Sequence, residues 1–335
     1  MLQGHQTWVF ANRPSILSTA AVVGPFEAAG PLAKDFDMLH ADIWLGQDSF
    51  EKAEKKLLEE ACELAITKAG IHKQDVQFFL SGDLMNQIIS SSFAARTLSV
   101  PYLGMFGACS TSMESLALGA LLVDTGAGNN VLCGAVSHNA TVEKQFRYPT
   151  EYGGQKPPTA QWTVTGAGVA LLGKWRDRPR IVSATIGRVV DMGISDPFNM
   201  GTAMAPAAVD TITAHFRDLG ISDDYYDLIA TGDLGKVGHR IASDLLIKHH
   251  MRIPPNKFTD CGMLIYSSKQ PVFAGGSGCG CSAVVTFGHI LNRMINGELK
   301  RVLIVATGAL LSPLSYQQKE SIPCVAHAVA IEIEE

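Results

Sequence analysis

A short signature occurs twice in the chain, as SGDL at 81–84 and TGDL at 231–234. Each copy directly follows a strand-like apolar run, Val76–Leu80 in the first case and Tyr226–Ala230 in the second. Asp83 and Asp233 are thus 150 positions apart in matching settings, and the helices ahead of them end alike, in Gly70-Ile71 and Gly220-Ile221. Further on, Gly107, Gly126 and Val131-Leu132 correspond to Gly278, Gly297 and Val302-Leu303 at a spacing of 171, which sets Cys109 opposite Gly280. Matches in this order, helix to helix and strand to strand, predict an internal duplication of βαβαβ type. Each half then carries a five-stranded mixed sheet with helices on both faces. The halves divide as residues 1–175 and 176–335.

Within the first half, GACSTSMESLALGALLV (107–123) has one charged residue, Glu114. Small polar residues ahead of an apolar run mark a helix start, and a helix without a charged face is buried on most sides. This places Cys109 at the mouth of a central helix. The unpaired N–H groups there favour a thiolate or a bound anion and are expected to lower the thiol pKa. The competing reading is a buried structural cysteine. The helix after Cys281 is its counterpart, and the two are expected to pack together at the centre.

Composition bounds the function. With 335 residues and 47% apolar content the chain has ample material for a core. A net charge of −5 gives no general attraction to nucleic acid or anionic lipid. Seven irregularly spaced cysteines suggest no disulfide framework, and Cys279-x-Cys281 is too tight for a zinc knuckle. The start, MLQGHQTWVF, lacks the layout of a secretory signal, and no apolar run is long enough to span a bilayer. The expectation is a soluble protein made in a reducing compartment.

Gln6–Phe10 and Ile16–Val23 read as strands, and Ser49–Ala69 as a helix capped by Ser49 and stopped by Gly70. Asn86–Leu98 and Pro206–Leu219 read as helices, and Asn130–Val136 and Val164–Gly173 as strands. His138–Thr163, rich in Gly, Pro, Tyr and charge, reads as a long irregular segment whose part RYPTEYGGQKPP is a lid or a dimer contact.

A duplicated α/β chain with a cysteine at a buried helix start resembles the thiolase-like superfamily of condensing enzymes. VTGAGVALL (164–172), SATIGRVV (183–190) and GGSGCGCSAVV (275–285) lie where the third-type ketoacyl synthases carry related stretches. That resemblance implies a thiolase-like duplicated βαβαβαββ fold layered α/β/α/β/α. It also implies a homodimer paired through a first-half strand, here Val131–Val136. FGACSTSMES, SHNATVEKQFRYPTEYGGQKP, VFAGGSGC, ATGALLSP and QQKESIPC further resemble the stage V sporulation branch of that superfamily, found in spore-forming bacteria. Membership of that branch implies a pseudoenzyme that binds dipicolinic acid, possibly as its calcium chelate. It would sit peripherally on the spore inner membrane with other stage V sporulation membrane proteins of the same channel system. Its role would be dipicolinate uptake into the forespore and release at germination.

A condensing enzyme needs a thiolate plus His or Asn groups that move protons and stabilise an enolate. Cys109 is present, but TGDLG (231–235) stands where the histidine belongs, His239 is six residues past Asp233, and Ser277 replaces the asparagine. A nucleophile without its partners points to an old active site turned to binding. The alternative is a condensing or acyl-transfer enzyme with Cys109 as nucleophile and altered partners; a pure scaffold is the third class. The candidate ligand-binding residues are Cys109, Asp83, His138, Asp233, Arg147 and Cys279, with no resident cofactor or metal. Asp83 and Asp233 have a shared helix-capping role as their competing reading, and His138 that of a hydrogen-bonded core histidine. Lys144, Arg147 and Arg188 are the cations considered for an acidic ligand.

Overall fold

The computed structural model describes residues 1–146, 156–174 and 178–333. The first half contributes β1 (Ser15–Val23), β2 (Phe78–Gly82), β3 (Tyr102–Gly104), β4 (Val131–Ser137) and β5 (Gly166–Gly173). The second contributes β6 (Arg180–Thr185), β7 (Leu228–Thr231), β8 (Phe258–Asp260), β9 (Arg301–Ala309) and β10 (Cys324–Glu332). The first sheet runs β3-β2-β4-β5-β1 and the second β8-β7-β9-β10-β6, the same order twice. Pairing sense repeats as well. The outer three strands of each half are parallel, and the remaining two join antiparallel. The two sheets meet edge to edge at Ser15 and Arg180.

The helices repeat with the strands: α1 (Phe50–Ala69), α2 (Ile89–Leu98) and α3 (Thr111–Thr125) against α5 (Met200–Leu219), α6 (Gly235–Lys248) and α7 (Cys279–Val284). The last continues through a π-helical stretch, Val285–Ile290, into Leu291–Ile295. One core lies outside the first sheet under α1 and α2, a second outside the other sheet under α5 and α6. The third and largest lies between the sheets around α3 and α7, where Ser112 and Ser282 join the two helices by a 2.7 Å hydroxyl bond. This is the expected α/β/α/β/α layering.

Three local expectations are corrected. Asn139–Phe146, placed in an irregular segment, is a helix, α4, whose Thr141 and Val142 are buried. α5 starts at Met200 and carries Pro206 inside it. Alanine and other apolar side chains at 203–205 and 207–209 are buried around the proline, and their packing outweighs its missing N–H. Finally, β4 is bonded on both sides, to β2 and β5, and has no free edge for a partner copy. The open edge of that half is β3, paired on one side and exposed at Leu103 and Gly104. No helix among the described residues is long and apolar enough to cross a membrane.

Candidate functional site

The segment between β3 and α3 turns sharply at Ala108, whose φ of 50° is a strained left-handed value for a residue with a Cβ. Three bonds hold the turn. Gly107 N–H donates to Thr111 Oγ1 at 3.0 Å, Thr111 Oγ1 donates to Ala108 O at 2.7 Å, and Cys279 Sγ donates to the same carbonyl at 3.1 Å. Gly308, near the end of β9, lies directly on this turn. A Cβ there would overlap Gly107 O and come within 3.2 Å of Cys109 N. The result is an elbow that presents Cys109, 8% exposed, to the seam between the halves.

The expected lowering of the Cys109 pKa is overturned. Burial, reinforced by the neighbouring Asp233, pushes the thiol well above its ordinary value. Cys109 precedes the N-cap Ser110, so helix-end stabilisation is set against desolvation and an adjacent carboxylate, and it loses.

Asp233 is the centre of the site. Its Oδ1 accepts from Thr307 Oγ1 at 2.7 Å, and its Oδ2 accepts from Gly278 N–H at 3.0 Å and Ser277 Oγ at 3.1 Å. The Cys109 thiol lies close enough to this carboxylate for each to shift the other's pKa. Burial raises the Asp233 pKa, while these donors oppose the rise. The shared capping role with Asp83 does not hold, because Asp260 does that work in the second half. Asp260 accepts from Leu234 N–H (2.8 Å), Gly235 N–H (3.0 Å) and Thr231 Oγ1 (2.7 Å), and burial pushes its pKa up to about 7. Asp233 is thereby free to reach the seam.

Asp83 stays local. Its two oxygens accept from Met85 N–H at 2.8 Å and Ser91 N–H at 2.7 Å, bracing the turn into α2. It reaches the site through charge: Asp83 and Glu54 both raise the pKa of Cys279, behind the contribution of burial. His138 is fully buried. Its Nε2 pairs with Ile43 O at 2.8 Å and its Nδ1 accepts from Ala140 N–H at 3.1 Å, so neither ring nitrogen is open to a ligand. Burial lowers its pKa, which suits the neutral ring these bonds require. Lys144 is paired with Glu51 at 2.6 Å and Arg188 with Asp210 at 2.7 Å, both at the surface. Arg147 and most of RYPTEYGGQKPP lie outside the described residues. His239 stacks on Phe258 in the second half, centroids 4.4 Å apart.

The structure therefore brings together Cys109, Asp233 and Cys279, with Ser277, Gly278, Thr307 and Gly308, and leaves Asp83 and His138 behind the site. Thr307, Gly308 and Asp260 were missed as functional positions. A signal existed for Gly308, because the spacing of 171 sets it opposite Ser137, next to the singled-out His138. Beside the elbow, a pocket of about 260 Å³ is lined by Leu84, Met85, Ile88, Phe106, Phe146 and Leu311. Phe106 and Leu311 belong to the segments that carry Cys109 and Gly308. Among the described residues no three His, Cys, Asp or Glu side chains are grouped to hold a metal, and all seven cysteines are free and buried.

Comparison with known proteins bears on the family and the fold. Residues 4–332 match the family model described as stage V sporulation protein AD. Stage V sporulation protein AD of Bacillus subtilis (strain 168) is 51% identical over 331 residues, covering 99% of this chain and 98% of that protein. In solved structures, a single-residue variant of Xanthomonas campestris OleA superposes with a TM-score of 0.62 at 14% identity, covering 97% of this chain and 100% of that one. The 3-oxoacyl-[acyl-carrier-protein] synthase III of Aquifex aeolicus gives 0.59 at 12% identity, covering 95% and 99%. Human mitochondrial 3-ketoacyl-CoA thiolase gives 0.58 at 13% identity, covering 99% and 100%. The chain shares the thiolase fold with all three.

Proposed function

The chain belongs to the stage V sporulation protein AD family, and we propose that it is a non-catalytic, ligand-binding version of the thiolase fold whose occupant is dipicolinic acid. The observation that carries the non-catalytic reading is the Asp233 carboxylate set beside the Cys109 thiol. A condensing enzyme needs a base that accepts the proton and then stabilises the thiolate. A carboxylate is a poor replacement for histidine there: its negative charge opposes thiolate formation, and the thiol pKa rises accordingly. Ser277 and Gly278, which donate to Asp233, are likewise committed to it rather than to an enolate oxygen.

The charge pattern refines the ligand. Of the groups that perturb Cys109 and Cys279, the ionisable ones are acids and another thiol; no lysine or arginine is among them. A planar dianion entering this seam meets Asp233 with no compensating cation among the described residues that act on these thiols. The calcium chelate removes that repulsion, so we assign calcium dipicolinate, rather than the free acid, as the form bound. The protein then acts as a peripheral, homodimeric component on the spore inner membrane. It works with other stage V membrane proteins in loading dipicolinate during sporulation and releasing it at germination.

Calorimetric titration of the purified protein with dipicolinic acid, in the presence and absence of calcium, tests this reading. Binding that requires calcium supports it, and no binding in either arm overturns it. The retained elbow at Ala108–Cys109 and the close approach of Gly308 are what favour the second reading, an acyltransferase. An acyl adduct on Cys109 that forms and turns over with any acyl-CoA, seen by intact-mass kinetics, would establish that reading instead.

A further inference from the structure

Between α1, α2, α4 and the ends of β2 and β4 lies a buried polar cluster that the site description leaves unused. Glu54 on α1 is fully buried, and neither of its carboxyl oxygens has a hydrogen bond of good geometry. Its nearest hydroxyls belong to Thr141 and Ser90, but Thr141 Oγ1 donates instead to His138 O at 2.8 Å. The hydroxyls of Ser81, Ser90 and Ser91, also buried, lack well-formed bonds too. Asp83, close enough for its charge to act on Glu54, holds Met85 and Ser91 by their N–H groups. Between those anchors the chain runs through Gln87 and Ile88 at φ 54° and 47°, two consecutive strained residues. These residues, with Leu84 and Met85, wall the pocket that Phe106 and Leu311 also line.

We propose that Asp83 and Glu54 share one proton and together position the loop Leu84–Ile88, so that loss of that proton loosens the pocket wall. The two acids divide the roles by their partners. Asp83 accepts two N–H bonds and keeps the negative charge; Glu54, without a donor, keeps the proton. Among the described residues the surrounding groups that act on the pair supply no cation. Glu51 adds negative charge from α1, although Lys144 of α4 pairs with it at 2.6 Å. Tyr102 of β3 and Cys279 of α7 are both held neutral, their pKa values raised by burial first and by Asp83 next, and His138 is neutral between its backbone partners. When the Glu54 proton leaves for a solvent base, two like charges face each other in a dry cluster. The strained loop is the part free to move outward. The effect on a ligand rests on the binding reading above; the behaviour of the loop does not.

Hydrogen exchange at the Met85 and Ser91 amides, corrected for intrinsic rates, tests the loop directly. As pH is raised from neutral until Glu54 loses its proton, protection in the parent should fall by about tenfold or more, and in Glu54→Gln it should not fall. Constant protection in the parent, or an equal fall in both proteins, overturns the proposal. Infrared difference spectra of the parent against Glu54→Gln give a second measure: a buried carboxylic-acid carbonyl band missing from the variant, and so distinct from those of Glu27 and Asp260, should be present in the parent at neutral pH and vanish as protection falls. Absence of that band at neutral pH also overturns it. In calcium-containing titrations, dipicolinate affinity should weaken across the same range in the parent and hold in Glu54→Gln. Loop changes as expected with no dipicolinate binding at any pH would sink the ligand assignment and leave the acid pair standing.

Discussion

The Cys109 thiol lies beside Asp233, a carboxylate held by Thr307, Gly278 and Ser277. Burial, reinforced by this carboxylate where the resemblance would put a catalytic base, therefore keeps the cysteine protonated. Iodoacetamide should react slowly at Cys109 near pH 8, and Asp233→Asn should speed that reaction by about tenfold, since one unit of pKa is tenfold in thiolate. Alkylation rates from intact mass across a pH series check this. A parent thiol that titrates near or below its ordinary value would refute the geometry.

Gly308 makes a second prediction. Its Cα rests on the Cys109 elbow, and a Cβ would meet Gly107 O and lie 3.0 Å from Ser110 N, backbone atoms that cannot swing aside. Gly308→Ala should cost about 1–3 kcal/mol of stability, as overpacking does, and abolish calcium dipicolinate binding by displacing the elbow. Thermal unfolding and calorimetry on the same sample check both. Unchanged binding would place the ligand away from Cys109.

A third prediction concerns pH. Glu27, in the short helix Pro25–Ala28 that follows β1, accepts from Tyr266 Oη and from Thr165 N–H at 3.1 Å, and burial raises its pKa to about 7 from 4.5. The folded state holds this proton over a range where the unfolded chain has lost it. Stability contributed by Glu27 therefore falls as pH rises from about 4.5 to about 7 and is level above. Buried His215 and His327, lowered to about 3 and about 4, act in the opposite sense. The difference between Glu27→Gln and the parent isolates Glu27. Urea midpoints should show the variant gaining on the parent by on the order of 3 kcal/mol over that span. A difference that does not change with pH would contradict the protonated acid.

The fold was legible where local chemistry and burial agree. Ser49 accepts from Lys52 N–H at 3.2 Å, Gly70 closes α1 at φ 69°, and the mostly apolar run after Cys109 forms the central helix. The duplication could be read because equivalent strands end in equivalent turns. α4 was not legible: Asn139–Phe146 has only two buried side chains, and the Gly, Pro and Tyr that follow masked its periodicity. The site was legible at its nucleophile and not at its electrostatics. That Asp260 takes over capping and leaves Asp233 to the thiol depends on β8 lying beside β7, a relation between residues 27 positions apart. The open edge was misassigned for the same reason, since a strand's neighbours are a property of the sheet.

That edge supports the last prediction. β3 is bonded to β2 alone, whereas at the other end of the sheet β8 buries Phe258 and Asp260. Leu103 and Phe93 are each 43% exposed and Phe106 is 52% exposed around β3, an arrangement that leaves backbone groups and apolar area unpaired together. A second copy related by a two-fold axis satisfies both, because antiparallel pairing of two β3 strands is self-complementary. Leu103→Glu sets like charges against each other across that axis. Sedimentation velocity at micromolar concentration should show a dimer for the parent and a monomer for the variant, with unchanged circular dichroism. A dimeric variant would move the interface elsewhere, and a monomeric parent would remove it.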